Sequence, residues 1–325
     1  MRALIVGFGS IGRRHADNLR KLQNSMQFIL LRRAEKIDSA SQTLDATVVS
    51  HLDAALRANP DIAVIANPSS QHVDVLVPLL EAGVPCYIEK PVTTRAEDIR
   101  RLHVFLDSLS HVPVTLVGCN LHFLPSLIKL RALVHAGTIG NVVRASIQVG
   151  QWLPDWRPGQ DYRQSYSADP ALGGGVTLDL IHEIDMARWL FGEFDKVMAL
   201  SGKLSSLDIA AEDTACILLG KNQGGPFVVV SLEYVSRKPV RRYEIVGDQG
   251  TLVWDLGSRR LELISQECTD VIECGEHGFD VANTYIMAMS EFLDCVRQGR
   301  STTQDIHEGL KSVELALRAK ASASL

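Results

Sequence analysis

The sequence predicts two folded parts. Residues 1–120 form an α/β N-terminal Rossmann domain, and residues 121–325 form an α+β C-terminal domain with an open, mainly antiparallel sheet. Three observations carry this. The N-terminal part alternates short apolar runs with helically spaced segments, which implies parallel strands joined by right-handed crossovers. A glycine turn, Gly7-Phe8-Gly9-Ser10-Ile11-Gly12, follows the first apolar run. Beyond residue 190, strand-like runs succeed one another without long helices between them, as in an antiparallel meander.

Composition narrows the class. With 46% hydrophobic and 22% charged residues the chain is a globular protein, not a disordered one. The net charge of -5 and the dispersed Lys and Arg argue against a nucleic-acid surface. No stretch is long and apolar enough to span a bilayer, so no membrane partner is expected. The run Ala3-Leu4-Ile5-Val6 is too short for a signal peptide and ends in the glycine turn, so it reads as a buried first strand. The six cysteines show no CxxC pair and no metal spacing. They read as reduced thiols of a cytoplasmic protein, with no metal site.

Strands are expected at 2–6, 27–32, 46–50, 61–66, 85–89 and 113–119, with helices near 11–24, 34–42, 52–58, 70–83 and 94–109. Runs that are apolar nearly throughout, such as Ile62-Ala63-Val64-Ile65-Ala66, suit a sheet covered on both faces. Ligands of such sheets bind beyond the carboxyl ends of the strands. After the first strand, Gly7 permits a tight turn, Gly9 lets backbone approach a pyrophosphate, and Gly12 lets helix and strand pack closely. Ser10 and Ile11 open a helix whose N-terminus favours phosphate. After the second strand come Arg32 and Arg33, where an NAD site usually carries an acid about 20 residues beyond the glycines. Two guanidinium groups in its place point to the 2′-phosphate of NADP(H), with NAD(H) the alternative and the arginines then solvated or stacked on adenine. After the fourth strand come Asn67-Pro68-Ser69-Ser70-Gln71-His72, in which Asn67 and the serines are also good helix caps. After the fifth comes Glu89-Lys90-Pro91, whose lysine could polarise an oxygen or carry a proton, the commoner alternative for a lone lysine being an ordinary surface charge.

In the second part a helix at 123–136 and a strand at 142–150 lead to a loop, 151–168, rich in aromatics and arginines. A helix over 175–191 follows. Strands are expected at 197–204, 213–220, 226–235, 242–247, 251–255 and 260–265, and helices at 283–297 and 305–320. One sheet face is left open, and self-association, as a homodimer or homotetramer, is the simplest cover for it. In Gly173-Gly174-Gly175…Asp179…His182…Asp185, helical spacing puts Asp179 and His182 on one face. A histidine beside a carboxylate can be a general acid/base tuned near neutral pH, although the helix alone reads more readily as carrying a capping or core histidine.

Together these pieces resemble the glucose–fructose oxidoreductase / inositol dehydrogenase (Gfo/Idh/MocA) family. The matching stretches are GFGSIGRRH at 7–15, Asn67-Pro68…His72, Glu89-Lys90-Pro91, Gly118-Cys119-Asn120…Phe123…Pro125, the Gly-Gly-Gly…Asp…His…Asp segment, and the Tyr285…Phe292 helix. The resemblance covers nearly the whole chain. It implies hydride transfer between a nicotinamide cofactor and a carbinol carbon of a sugar, in a site between the two domains. Lys90 matches the family's catalytic lysine, its bond to Pro91 usually cis. His182 matches the catalytic histidine. Asn67 and Glu89 match positions near the nicotinamide ribose, Pro68 and His72 belong to the same cofactor-side segment, and Asn120 matches a position lining the substrate cleft. The family places its catalytic aspartate four residues before the histidine, whereas Asp179 stands three before His182. The run holding Trp156, Arg157, Tyr162 and Arg163 is similar to a subgroup linked with surface-polysaccharide and nonulosonic-acid pathways, and suits a sugar bearing an anionic group. Two rival readings share the scaffold: a glycosidase with tightly held nucleotide, and a non-catalytic nucleotide sensor.

Overall fold

The computed structural model describes residues 1–32 and 44–323. Arg33 and the helix expected at 34–42 lie outside the described residues. The chain divides into two compact units, residues 1–119 with 282–311, and residues 120–281 with 312–325.

The first unit holds a parallel six-stranded sheet in the order β3-β2-β1-β4-β5-β6. Its strands are β1 (Arg2–Val6), β2 (Gln27–Leu31), β3 (Thr47–Val49), β4 (Ile62–Ile65), β5 (Cys86–Ile88) and β6 (Thr115–Val117). This order reverses at β1/β4, the crevice where doubly wound sheets take dinucleotides. The helices are α1 (Ser10–Leu22), α2 (Leu52–Arg57), α3 (His72–Glu81) and α4 (Ala96–Ser108). Ala3, Leu4, Ile5 and the four residues of β4 are fully buried, because helices cover both faces. Each such Leu or Ile contributes roughly 1.5–3 kcal/mol over an exposed one. On α1 the buried stripe is Gly12, His15, Ala16 and Leu19, so a histidine occupies a core position.

The second unit holds an eight-stranded sheet, β14-β13-β12-β11-β7-β10-β9-β8, antiparallel except where β7 runs parallel to β10. The strands are β7 (Val142–Gly150), β8 (Lys196–Gly202), β9 (Thr214–Gly220), β10 (Phe227–Glu233), β11 (Val240–Gly247), β12 (Thr251–Asp255), β13 (Arg260–Ile264) and β14 (Thr269–Val271). Sequence reading missed β14, which is three residues long and fully exposed, so it carries no apolar alternation. Helix α5 (Pro125–His135) precedes β7. Trp254 is fully buried, and its indole N–H donates to Ser126 Oγ at 2.8 Å. The opposite face of β8–β10 shows Met198, Leu200, Leu218 and Phe227 to solvent.

The helix expected at 175–191 is two helices, α6 (Val176–Asp179) and α7 (His182–Phe191). Leu180 leaves helical geometry with ψ 29°. The two short helices have separate side-chain anchors, described below, and these override the continuous helical pattern. Last come α8 (Val281–Gln298) and α9 (Ile306–Ser322). The α8 residues from Ala282 and the α9 residues to Lys311 belong to the first unit. There Phe292 meets the Tyr87 ring edge-on at 6.0 Å, and Gly309 lies against Val117.

Candidate active site

In the first unit the turn between β1 and α1 is built by its glycines. Gly7 holds φ +83°, and a Cβ there would lie 2.7 Å from the Asn67 backbone. A Cβ on Gly12 would collide with the Gly7 carbonyl oxygen. These two glycines are needed by the chain itself. Gly9 is different: no atom of the described residues surrounds its missing side chain, which suits close approach by something outside the chain. No side chain caps α1, and its first turn holds no acid, so the helix end keeps its attraction for anions.

The flanking segments complete this end of the sheet. Arg32 follows β2; its N–H donates to the Val49 carbonyl at 3.0 Å, and its guanidinium stands 5.9 Å from the Phe8 ring of the glycine turn. Asn67 follows β4. Its amide donates to the Gln71 carbonyl at 3.3 Å, while its buried Oδ1 has no hydrogen-bond partner among the described residues. An orphaned acceptor costs roughly 1–3 kcal/mol, and a ribose hydroxyl would satisfy it. Pro68 and Gln71 occupy the cap positions of the 3-10 turn Ser69–Gln71 and of α3, with no side-chain cap bond at either, so helix capping does not explain Asn67. His72 is fully buried, and its Nε2 donates to the Asn67 carbonyl at 2.9 Å. Burial lowers its pKa against the raising effect of that carbonyl and of Glu89, leaving a neutral ring at pH 7. Through that bond the buried ring braces the Asn67 loop.

Glu89 and Lys90 follow β5, and the Lys90–Pro91 peptide is cis. Glu89 is buried, with Oε1 2.6 Å from His15 Nε2. A Cβ on Gly118, just past β6, would come within 3.2 Å of the same carboxylate. His15 lies inside the GFGSIGRRH stretch, where no local pattern marks it for a role beyond its place on the apolar stripe of α1.

In the second unit Gly175 enters α6 with φ +101°, and a side chain on Gly174 would strike the Tyr166 carbonyl. The glycine run thus packs α6 against the preceding loop. Asp179 Oδ2 accepts from Ser167 Oγ at 2.6 Å and from Tyr234 OH at 3.1 Å. Burial, then Asp179, pushes the Tyr234 phenol well above its usual pKa, so it remains a donor. His182, also buried, opens α7. The next residue, Glu183, is fully buried and pairs with Arg241 at 2.8 Å. One turn on, Asp185 Oδ2 is 2.7 Å from His122 Nε2, and Oδ1 accepts from Ser312 Oγ at 2.6 Å. Burial pushes the Asp185 pKa up, but His122, Ser312 and Arg188 together hold it at about 2. Asn120 is buried in the 3-10 turn Asn120–Phe123 that carries His122. The partners His122, Ser167, Tyr234, Arg241 and Ser312 escaped sequence reading, because they come from five separate segments.

The aromatic loop is a series of 3-10 turns between 153 and 172. Trp156 meets the Tyr234 ring edge-on at 5.2 Å, and its buried Nε1 has no partner among the described residues. Tyr162 OH accepts from the Asp208 N–H at 3.3 Å. Arg163 is exposed and bound to Asp161, with contacts from 2.7 to 3.1 Å, so its charge is already matched within the loop. Arg157 is half-buried beside Trp156 in sequence. Arg237, unmarked in the sequence reading, lies 3.5 Å over the Trp152 ring. Among the described residues no three His, Cys, Asp or Glu side chains form a group able to hold a metal ion. None of the six cysteines is bridged.

Comparison with known proteins places these residues in a family. Residues 1–115 match the oxidoreductase family with NAD-binding Rossmann fold, and 127–253 match the GFO/IDH/MocA C-terminal domain. The chain is 30% identical over 263 residues to myo-inositol dehydrogenase Hyg17 of Streptomyces leeuwenhoekii, covering 78% of this chain and 76% of that protein. It is 24% identical to myo-inositol 2-dehydrogenase of Thermotoga maritima over 99% of this chain and 96% of the relative. The WlbA dehydrogenase of Bordetella pertussis, solved with NADH and UDP-GlcNAcA, shares the fold with a TM-score of 0.85 at 22% identity, over 99% of this chain and 95% of that one. UDP-N-acetylglucosamine 3-dehydrogenase GnnA of Acidithiobacillus ferrooxidans shares it at 0.80 and 22% identity, over 99% and 97%. By its glycine turn, its Glu-Lys-Pro segment, its histidine helix and these matches, the chain belongs to the Gfo/Idh/MocA family of oxidoreductases with an NAD-binding Rossmann fold.

Proposed function

We propose that Lys90 and His182 both act on the oxygen of the reacting carbinol. The observation that carries the cofactor half is the bare Gly9 at an uncapped helix end, beside an orphaned Asn67 oxygen. The nicotinamide, when bound, supplies the hydride acceptor or donor. Gly7, Gly9, Ser10, Ile11 and Gly12 would hold its pyrophosphate through backbone, and Asn67, with Pro68 fixing its loop, would meet the ribose. Lys90 donates a hydrogen bond to the substrate oxygen and stabilises negative charge developing there. His182 takes the hydroxyl proton in oxidation and returns it in reduction. Asp179, held by Ser167 and Tyr234, supports the substrate side rather than carrying the proton. Lys90→Ala and His182→Ala are each expected to cut kcat by about 10²–10⁴ while nucleotide affinity stays within a few-fold. The assay is NAD(P)H formation with myo-inositol and UDP-N-acetylglucosamine as trial alcohols. Full turnover in either variant sinks the assignment.

Arg32, in the position of the missing acid and beside Phe8, supports a preference for NADP(H) over NAD(H). Arg32→Asp is then expected to shift relative kcat/KM toward NAD by tenfold or more, and an unchanged ratio removes the role. The substrate is read as a sugar with an anionic substituent. Arg157 supports this; Arg163, bound to Asp161, supports it less. The first unit is read as the cofactor domain and the second as the substrate domain. The exposed Met198, Leu200, Leu218 and Phe227 support homodimer or homotetramer formation through the open sheet face. Sedimentation of a monomer at micromolar concentration would end that reading. The unbridged cysteines agree with a cytoplasmic setting, which cell fractionation tests.

A further inference from the structure

We propose that His15 is a positioning residue for Lys90, acting through Glu89. His15 stands on α1, one turn beyond the glycine turn, and Glu89 immediately precedes Lys90 at the end of β5. The 2.6 Å bond from His15 Nε2 to Glu89 Oε1 therefore ties the phosphate-facing helix to the segment that carries the lysine. Gly118 leaves the room the carboxylate needs; with a Cβ there, the Glu89 side chain would have to move.

Stability does not account for this pair. His15 is fully buried, and its Nδ1 makes no hydrogen bond among the described residues. The Tyr87 ring lies against it at 4.6 Å, and the buried Tyr87 hydroxyl also has no partner among them. Tyr285 of α8, with Arg14 stacked 4.6 Å over it, closes another side at 6.2 Å. A polar pair set among orphaned polar atoms is a poorer core than apolar side chains of the same volume. What the pair supplies is direction: one carboxylate oxygen fixed by a donor on a rigid helix. Glu89 so fixed sets where the next residue begins. Fixing that start matters because a misplacement of about 1 Å at a reacting group can cost on the order of a hundredfold in rate.

The inference rests on the catalytic reading of Lys90, and the experiment separates the two. His15→Leu removes the donor at similar volume, and His15→Gln returns an N–H near the Nε2 position. With the better of the two trial alcohols, His15→Leu is expected to lower kcat tenfold or more, with nucleotide Kd within threefold of wild type. His15→Gln is expected to recover kcat to within threefold. Equal losses in the two variants, or a loss seen only in nucleotide Kd, would overturn the proposal. Should His15→Leu not fold, a cycle of His15→Asn, whose shorter side chain stays polar but does not reach Glu89, with Glu89→Ala and the double variant decides. Residues acting as one unit give a double-variant loss no larger than the larger single loss, whereas additive losses refute the coupling. Lys90→Ala is assayed alongside. Turnover retained there removes the catalytic reading itself, while a dead Lys90→Ala with an unchanged His15→Leu removes only the inference.

Discussion

His15–Glu89 in the first unit and His122–Asp185 in the second are alike by distance, 2.6 and 2.7 Å, and all four side chains are buried. Their surroundings differ. Asp185 receives Ser312 on its other oxygen, Ser312 receives Arg188, and Arg188 reaches Glu193 at 2.5 and 2.9 Å. The His122 ring also stacks on Trp189 at 4.7 Å, with Arg131 4.6 Å over that indole. Each charge in this network has a partner, and the network pins the first turns of the helix that begins with His182. Around His15–Glu89, a ring nitrogen and a phenol oxygen are left without hydrogen bonds among the described residues. A histidine–carboxylate pair thus serves as an anchor where the polar atoms around it are satisfied, and as an aiming device where they are not.

The largest expected effect separates the two roles. Asp185→Ala strips the partner from a buried histidine and an arginine, and should cost about 3–5 kcal/mol in urea unfolding. A loss under 1 kcal/mol would show that the network anchors nothing. Its pH dependence sharpens the point. The folded pKa of Asp185, about 2, lies below its ordinary value of 3.8. The contribution is therefore whole above about pH 4 and lost as pH falls through 2, on the order of 2 kcal/mol in all. Unfolding of wild type and Asp185→Asn at pH 7, 4 and 2.5 should show the gap between them narrow only at the acid end. A gap that is constant with pH would assign the effect to packing.

The smallest effect is at Tyr87. Tyr87→Phe deletes a buried hydroxyl that has no hydrogen bond among the described residues, so stability should stay level or rise by up to about 1 kcal/mol. Tyr234→Phe, which deletes a donor to Asp179, should instead cost about 1 kcal/mol. Equal costs at the two tyrosines would erase the distinction between satisfied and unsatisfied surroundings.

Much of this was legible in the residues alone. The glycine turn, the strand–helix alternation and the antiparallel run are local patterns of period and punctuation, and the strands lie within a few residues of where those patterns put them. The three-residue β14 has no pattern to read, and the break between Asp179 and His182 leaves no mark because the apolar spacing over 175–191 is continuous. Gly7, Arg32, Asn67 and Glu89 stand just past the ends of β1, β2, β4 and β5, positions that topology alone marks, whereas the loop residues Trp156, Arg157, Tyr162 and Arg163 have no such marker.

The sequence by itself determined that a glycine turn of dinucleotide type follows the first strand, that a mainly antiparallel sheet forms in the second part, and which lysine and histidine are the candidates for chemistry. Only the tertiary structure decided what holds them. His15 meets Glu89 across 74 residues, and Ser312 meets Asp185 across 127. Spacing within one helix or strand carries information about neighbours three or four residues away. A hydrogen bond between distant segments depends on how whole elements stack, and no local pattern encodes that.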